Sequence, residues 1–344
     1  MKKLIEKVEQ IISPVYLVGG AVRDTLLNKK PKDYDFATSL SSEAMEVLIR
    51  EAGRKPYLVG ARFGTVGFKI EDDKEFKYIE ITTFRNDKYR KGNRKPEVNF
   101  VKNITADLSR RDFTINAIAF RNNKYIDPFN GREDLKNGII KAVGKATQRL
   151  KEDPLRMLRA GRLASKLNFK IDDELKDAVK KVNHKILEVS KERWMIEFDK
   201  LLMTDKPSIA LDFFMETRLM NFMIPELALQ YKYNQNSKYH DLELWEHTKT
   251  ALDFTPKDIN IRWAILLHDI GKPFVRTDRV LSDTEIKTNY IKHDLVGYEF
   301  VLKIAKYLKW SNLRTEIVSK LVLNHLAEDS PLKEYDNKGK KNNE

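Results

Sequence analysis

Between residues 15 and 143 apolar positions gather in short runs, VYLVGG, GTVGFKI, KYIEITTF, EVNFV, INAIAF and GIIKAVG, broken by charged or glycine-bearing segments. Runs of this length, rich in Val, Ile, Phe, Tyr and Thr, predict strands, and the helical stretches between them complete a compact α+β domain whose small sheet carries any site. From about residue 148 the period changes. In PLRMLRAGRLASKL and SKERWMIEFDKLLM apolar residues return every three or four positions, which predicts helices and no strands. A polar stretch around Tyr231 to Asp241 separates this middle region from a last helical segment, and PLKEYDNKGKKNNE is too polar to fold alone. The expected divisions are 1–145, 146–230, 231–330 and a disordered tail, 331–344. The pattern contains no internal repeat.

Composition narrows the chemistry. At 344 residues and 41% hydrophobic content the chain can bury a core. No run of about 18 apolar residues occurs and MKKLIEKVEQ lacks an apolar centre, so a cytoplasmic protein with no membrane segment is expected. Without cysteine, carboxylates and imidazoles are the available metal ligands. A net charge of +13 implies a polyanionic partner, with nucleic acid ahead of a generally basic surface. The charge concentrates between Arg85 and Arg111, where nine basic residues face Asp87, Glu97 and Asp107.

The segment VYLVGGAVRDTLLNKKPKDYDFAT runs from a strand through Gly19 and Gly20 into a helix and on to Asp33 and Asp35. Adjacent glycines admit backbone N–H groups close to a phosphate at a helix start, and Arg23 one turn in is placed to pair with it. On a strand, the spacing of Asp33 and Asp35 puts both carboxylates on one face, where they can share Mg²⁺. Glu80, flanked by Ile79 and Ile81 in strand alternation, supplies a third acid for a two-metal centre. Alone, a Gly-Gly is usually a turn and an Asp-x-Asp a solvated loop; the ordered combination is what carries information.

The combination of GGAVRD, DYD, TTFR, DLSRRDFTINA, DPFNGREDL and RLKEDPLRMLRAGRLA resembles the DNA polymerase beta-like nucleotidyltransferase superfamily, in particular the class II CCA-adding enzymes and bacterial poly(A) polymerases. The resemblance spans about residues 10 to 330. It implies a nucleotidyltransferase head followed by an elongated, all-helical neck and body, with Asp33 and Asp35 as Mg²⁺ ligands and Glu80 as third carboxylate or base for an RNA 3′-hydroxyl. It also implies template-independent addition of C and A to tRNA from CTP and ATP. A poly(A) polymerase, or an enzyme adding only C or only A, shares the motifs. No protein partner is implied.

Arg110, Arg111 and Asp112 combine cations and an acid suited to a triphosphate and a ribose, with Asn116 in the same pocket; the alternative is a basic helix start with Asp112 pairing locally. Glu152, Asp153 and Arg156 form an EDxxR pattern, and Arg159 follows one turn later. Asp153 and Arg156 present an acceptor and donors matching the amine and ring nitrogen that cytosine and adenine share, a pattern guanine and uracil reverse. The alternative has Asp153 capping a helix and Glu152 pairing with Arg156. The basic stretch 86–102, with Tyr89, resembles the family's flexible loop; otherwise it is a solvated hairpin.

The last third holds His247, the pair His268–Asp269, His293 and His325 on apolar helical segments. A buried carboxylate there requires a partner or a metal. The set resembles the HD phosphohydrolases, which implies a candidate divalent-metal site at His247, His268, Asp269 and His293, with a further ligand unplaced. It also leaves open a metal-dependent phosphohydrolase acting on RNA ends, or a helical body that supports tRNA. Few residues follow His325, so the large C-terminal tail domain the family implies is not expected.

Overall fold

The computed structural model describes residues 2–72, 75–88, 97–236, 243–282 and 285–340. It divides into two compact units, Met1–Asp153 and Pro154–Glu344.

The first unit is built on a six-stranded sheet. Its strands are β1 (Val15–Val18), β2 (Tyr34–Thr38), β3 (Thr65–Asp72), β4 (Glu75–Thr83), β7 (Ala119–Arg121) and β8 (Lys124–Ile126), in the order β3-β4-β2-β1-β7-β8. β2 and β4 are parallel; the other neighbours run antiparallel. One face buries Leu17, Phe36, Phe68, Ile79 and Ile81 under the helices Lys2–Glu9 and Ser42–Glu51. The other face packs Val18, Ala37, Phe84 and Ala119 against Leu108 and Val143. A separate hairpin, β5 (Arg85–Lys88) with β6 (Glu97–Phe100), flanks the basic loop. The loop's tip, including Tyr89, lies outside the described residues. The run INAIAF is not one strand: Thr114–Asn116 forms a 3-10 turn, and pairing starts at Ala119.

The second unit is mainly helical. Trp263 stacks on Phe198 at 4.9 Å and its indole N–H donates to Asp199, while the Trp245 indole donates to Asp212. Buried Arg262 donates to the carbonyls of Leu202, Thr204, Thr255 and Pro256, satisfying acceptors left over at two helix ends. Two expectations are corrected here. Thr277–Ser282 and Glu285–Asn289 form a β-hairpin in the region read as strandless; its Thr, Val and Ile content favours strands, but polar interruptions obscure the alternation. Lys333–Lys340, expected to be disordered, is a helix; it lacks an apolar stripe because what it buries is Asp336 and Gly339. Among the described residues no helix is long and apolar enough to cross a membrane.

Candidate active site and a buried histidine–aspartate centre

β1 delivers the chain to Gly19, whose φ of 69° and ψ of −132° suit glycine alone. A Cβ there would lie 2.8 Å from Nη1 of Arg111, so the guanidinium covers the turn at a distance only glycine permits. The helix Gly20–Leu26 starts at once and buries Arg23, which donates to Asn116 Oδ1 at 2.7 Å and pairs with Asp24 at 2.6 Å. Asn116 in turn donates to Asp112 Oδ1 at 3.1 Å. The expected residues Gly19, Gly20, Arg23, Arg111, Asp112 and Asn116 therefore come together around one turn.

Asp35 stands on β2 directly beside Glu80 on β4, the two being register partners of the parallel pair. Both carboxylates are exposed. Asp33 precedes the strand, so the two aspartates converge by a bend and not by strand alternation alone. The recess raises Asp35 above the usual carboxylate range; Arg111 opposes this and Asp33 adds to it. Glu80 is raised by the same recess and by Asp35 and Asp33. Two carboxyls that resist ionising, with a third acid beside them, fit a divalent cation, which relieves their repulsion.

Arg110 pairs at 2.8 Å with Asp107, which is buried and also accepts from Arg111 at 3.3 Å and from the backbone N–H of Arg85. Sequence reading passed over Asp107; its signal is an acid three and four residues before two arginines. Arg149 was missed too. It donates to the carbonyls of Ser109 and Val143 and pairs with Glu152 at 2.7 Å, tying the RRD turn to the helix Ala146–Glu152. Glu152 thus meets Arg149, and the N-cap position of the next helix is Leu155. The division between the two units falls between Asp153 and Pro154, leaving Arg156 and Arg159 on the helix Arg156–Leu167.

The second centre is fully buried. His247, His268, Asp269 and Asp336 converge as one potential ligand group and Asp269, His293 and His325 as another, sharing Asp269. His247 Nε2 lies 2.9 Å from Asp336, and His268 Nε2 lies 3.1 Å from Asp269. His268, His293 and His325 each donate Nδ1–H to a carbonyl three residues back, at 2.7 Å, which fixes the tautomer and turns Nε2 inward. The Nε2 lone pairs of His293 and His325 then face each other at 3.1 Å, tolerable only with a proton or a metal ion between them. Burial disfavours charge on His268, yet Asp269 and Asp336 push it up to about 10, so a proton there stands in for a cation. Burial and the positive His268 hold His325 down to about 4. Lys272 reaches Asp269 at 2.7 Å. The nitrogen and oxygen donors fit one or two divalent transition ions. Asp336 is the member of this group that sequence reading missed. Its signal is Gly339 three residues on, where a Cβ would lie 2.7 Å from the carbonyl of His247.

Family models match along the chain: the poly A polymerase head domain over residues 15–141, the probable RNA and SrmB- binding site of polymerase A over 168–230, and the HD domain over 239–340. The CCA-adding enzyme of Streptococcus uberis is 39% identical over 64% of this chain and 53% of its own length. That of Ligilactobacillus salivarius is 35% identical over 88% of this chain and 70% of its own. The chain thus spans as little as about half the length of the relatives it matches. The solved Bacillus stearothermophilus CCA-adding enzyme in complex with CTP superposes with a TM-score of 0.64 at 28% identity, covering 98% of this chain and 80% of that one. With an acid-bearing sheet, a glycine turn under arginine and relatives sharing most of their length with it, the chain belongs to the CCA-adding enzyme family.

Proposed function

We propose that this protein adds C and A to the 3′ end of tRNA from CTP and ATP, without a template, releasing pyrophosphate. The observation that carries the reading is the pairing of Asp35 with Glu80 in register beside a glycine turn that Arg23 and Arg111 surround. In this reading the Gly19–Gly20 backbone and the two arginines hold the triphosphate, while Asp112 and Asn116 orient the ribose. Asp33, Asp35 and Glu80 would hold magnesium, which supplies Lewis acidity at the α-phosphate and toward the attacking 3′-hydroxyl. Asp153 and Arg156 select cytosine and adenine by their amine and ring nitrogen. The HD centre supports a second reading, a metal-dependent phosphohydrolase acting on RNA ends: its converging donors would hold divalent ions that supply Lewis-acid chemistry toward a phosphate ester.

The test is primer extension with Mg²⁺ and CTP, ATP or both, on tRNAs ending before CCA, after C and after CC, beside an unstructured RNA. Addition that stops after CCA and is lost in Asp35→Ala is expected. Long A tails on any RNA would reassign the protein as a poly(A) polymerase. No incorporation would refute transfer and leave the HD centre as the active one.

A further inference from the structure

On β4 the residues alternating with the core, Phe76, Tyr78 and Glu80, share one face, and the first two are exposed by 71% and 47%. Exposed aromatics on a regular strand beside a carboxylate cluster need a reason. Tyr78 is held in place: it packs edge-on against Tyr57 with ring centres 5.7 Å apart, and Tyr57 is tied to Gly67 by a β-bridge. Tyr78 lies across Gly67, where a Cβ would come within 2.1 Å of the phenol oxygen and 2.6 Å of the ring. The glycine leaves room for the ring to lie low over β3, offering its remaining surface outward. Next to it, Lys30, Lys32 and Lys77 line a depression of about 530 Å³ that reaches Asp33, Asp35 and Glu80.

Sheet order fixes what this depression faces. β1, which carries the glycine turn, is on one side of β2, and β4 and β3 are on the other. Displacement at phosphorus is in line, so with the triphosphate on the β1 side the attacking hydroxyl approaches from the opposite side of the carboxylates. Tyr78, on β4, lies on that side, and the depression it borders runs on to Lys30 and Lys32. A lysine-lined recess with an aromatic platform is the chemistry of single-stranded RNA: bases of any kind stack on the ring and the lysines take the phosphates.

We propose that this recess seats the 3′-terminal nucleotides of the acceptor RNA, with Tyr78 as the stacking platform and Lys30, Lys32 and Lys77 as phosphate contacts. The assignment rests on the transferase reading above and makes Tyr78 a positioning residue for the acceptor. The test measures steady-state CTP addition by the full chain to a tRNA acceptor-stem minihelix, with KM taken separately for RNA and CTP, and anisotropy of the labelled minihelix without CTP. In Tyr78→Ala the KM for RNA and the minihelix Kd are expected to rise about 10- to 100-fold, with KM for CTP and kcat at saturating RNA nearly unchanged. Tyr78→Phe keeps the ring and is expected to match wild type. Replacing Lys30 and Lys32 together by alanine is expected to flatten the salt dependence of RNA binding by about two in log–log slope. An unchanged KM for RNA in Tyr78→Ala overturns the proposal, as does an equal loss toward CTP and RNA, which marks a structural role. Failure of wild type to incorporate CTP refutes the transferase reading, while minihelix binding that weakens in Tyr78→Ala still supports the seat.

Discussion

The head carboxylates and the HD centre both gather acids for cations, and they do so in opposite surroundings. Asp33, Asp35 and Glu80 are exposed at the sheet and share no imidazole, and the recess and neighbouring acids raise Asp35 and Glu80 above the usual carboxylate range. His247, His268 and Asp269 are 0–2% exposed in a centre of four imidazoles and two aspartates, where backbone carbonyls set the ring tautomers of His268, His293 and His325. An open, all-oxygen set suits hard ions that keep water and come and go with a nucleotide. A closed nitrogen-rich set suits a resident ion that also holds the helices together. The difference teaches that the first site is built for passage and gains little stability from its acids, whereas the second is part of the core.

The sharpest break in that comparison comes from paired substitutions. Asp35→Ala is expected to lower nucleotide incorporation by about a thousandfold, as loss of several kcal/mol of Lewis-acid stabilisation requires, while leaving the urea midpoint equal or higher, since it removes a repelled charge. A clear drop in stability would contradict the passage picture. His268→Ala is the converse: it leaves Asp336 buried without the charge of His268, and Asp269 with Lys272 alone, and is expected to cost about 3–5 kcal/mol in urea unfolding of metal-stripped protein. Incorporation per folded molecule is expected to persist. Equal loss of incorporation and stability would mean that the two regions are not separable.

A smaller effect sharpens the head alone. Gly19→Ala forces a side chain into a strained backbone region and against Arg111; a 10- to 100-fold rise in KM for CTP is expected, with KM for RNA moving little. Equal shifts in both would show that the turn does not serve the triphosphate.

The effect most diagnostic of the HD centre is the pH dependence of metal-stripped protein. His268 rises from 6.5 to about 10 on folding, so its contribution is complete below about pH 6.5 and fades as pH climbs through about 10. His325 falls from 6.5 to about 4, so the unfolded chain takes up a proton that the folded one refuses, and stability declines from pH 6.5 toward 4. Depressed Asp269 and Asp336 lose their contributions in the same acidic direction. Stability by urea titration is therefore expected to peak near pH 6.5 and to fall on either side by up to about 1.4 kcal/mol per pH unit for each titrating proton. His268→Gln is expected to flatten the alkaline limb; an unchanged limb would remove His268 as its source.

What the sequence made legible follows the strength of local signals. Alternation around Glu80 and the step from strand to Gly-Gly made a strand and a glycine turn legible, because a strand's period of two and a glycine's backbone freedom are local properties. The partnership of Asp35 with Glu80 depends on a parallel pairing 45 positions apart, which the alternation implied without its register. Asp107 and Arg149 act by holding other residues, so a search for groups that would touch a substrate passes over them. Asp336 was hidden for a different reason: its helix buries a carboxylate and a glycine, leaving no apolar stripe for periodicity to detect.

Arg262 binds the carbonyl ends of the middle helix Lys191–Leu202 and the HD helix Leu244–Phe254 with one guanidinium, next to the Phe198–Trp263 stack. A charged fork shared by two helix ends leaves neither able to fray by itself. In hydrogen exchange the amides of both helices are therefore expected to open together, so that an ion held among the histidines would slow exchange in the middle helix as well.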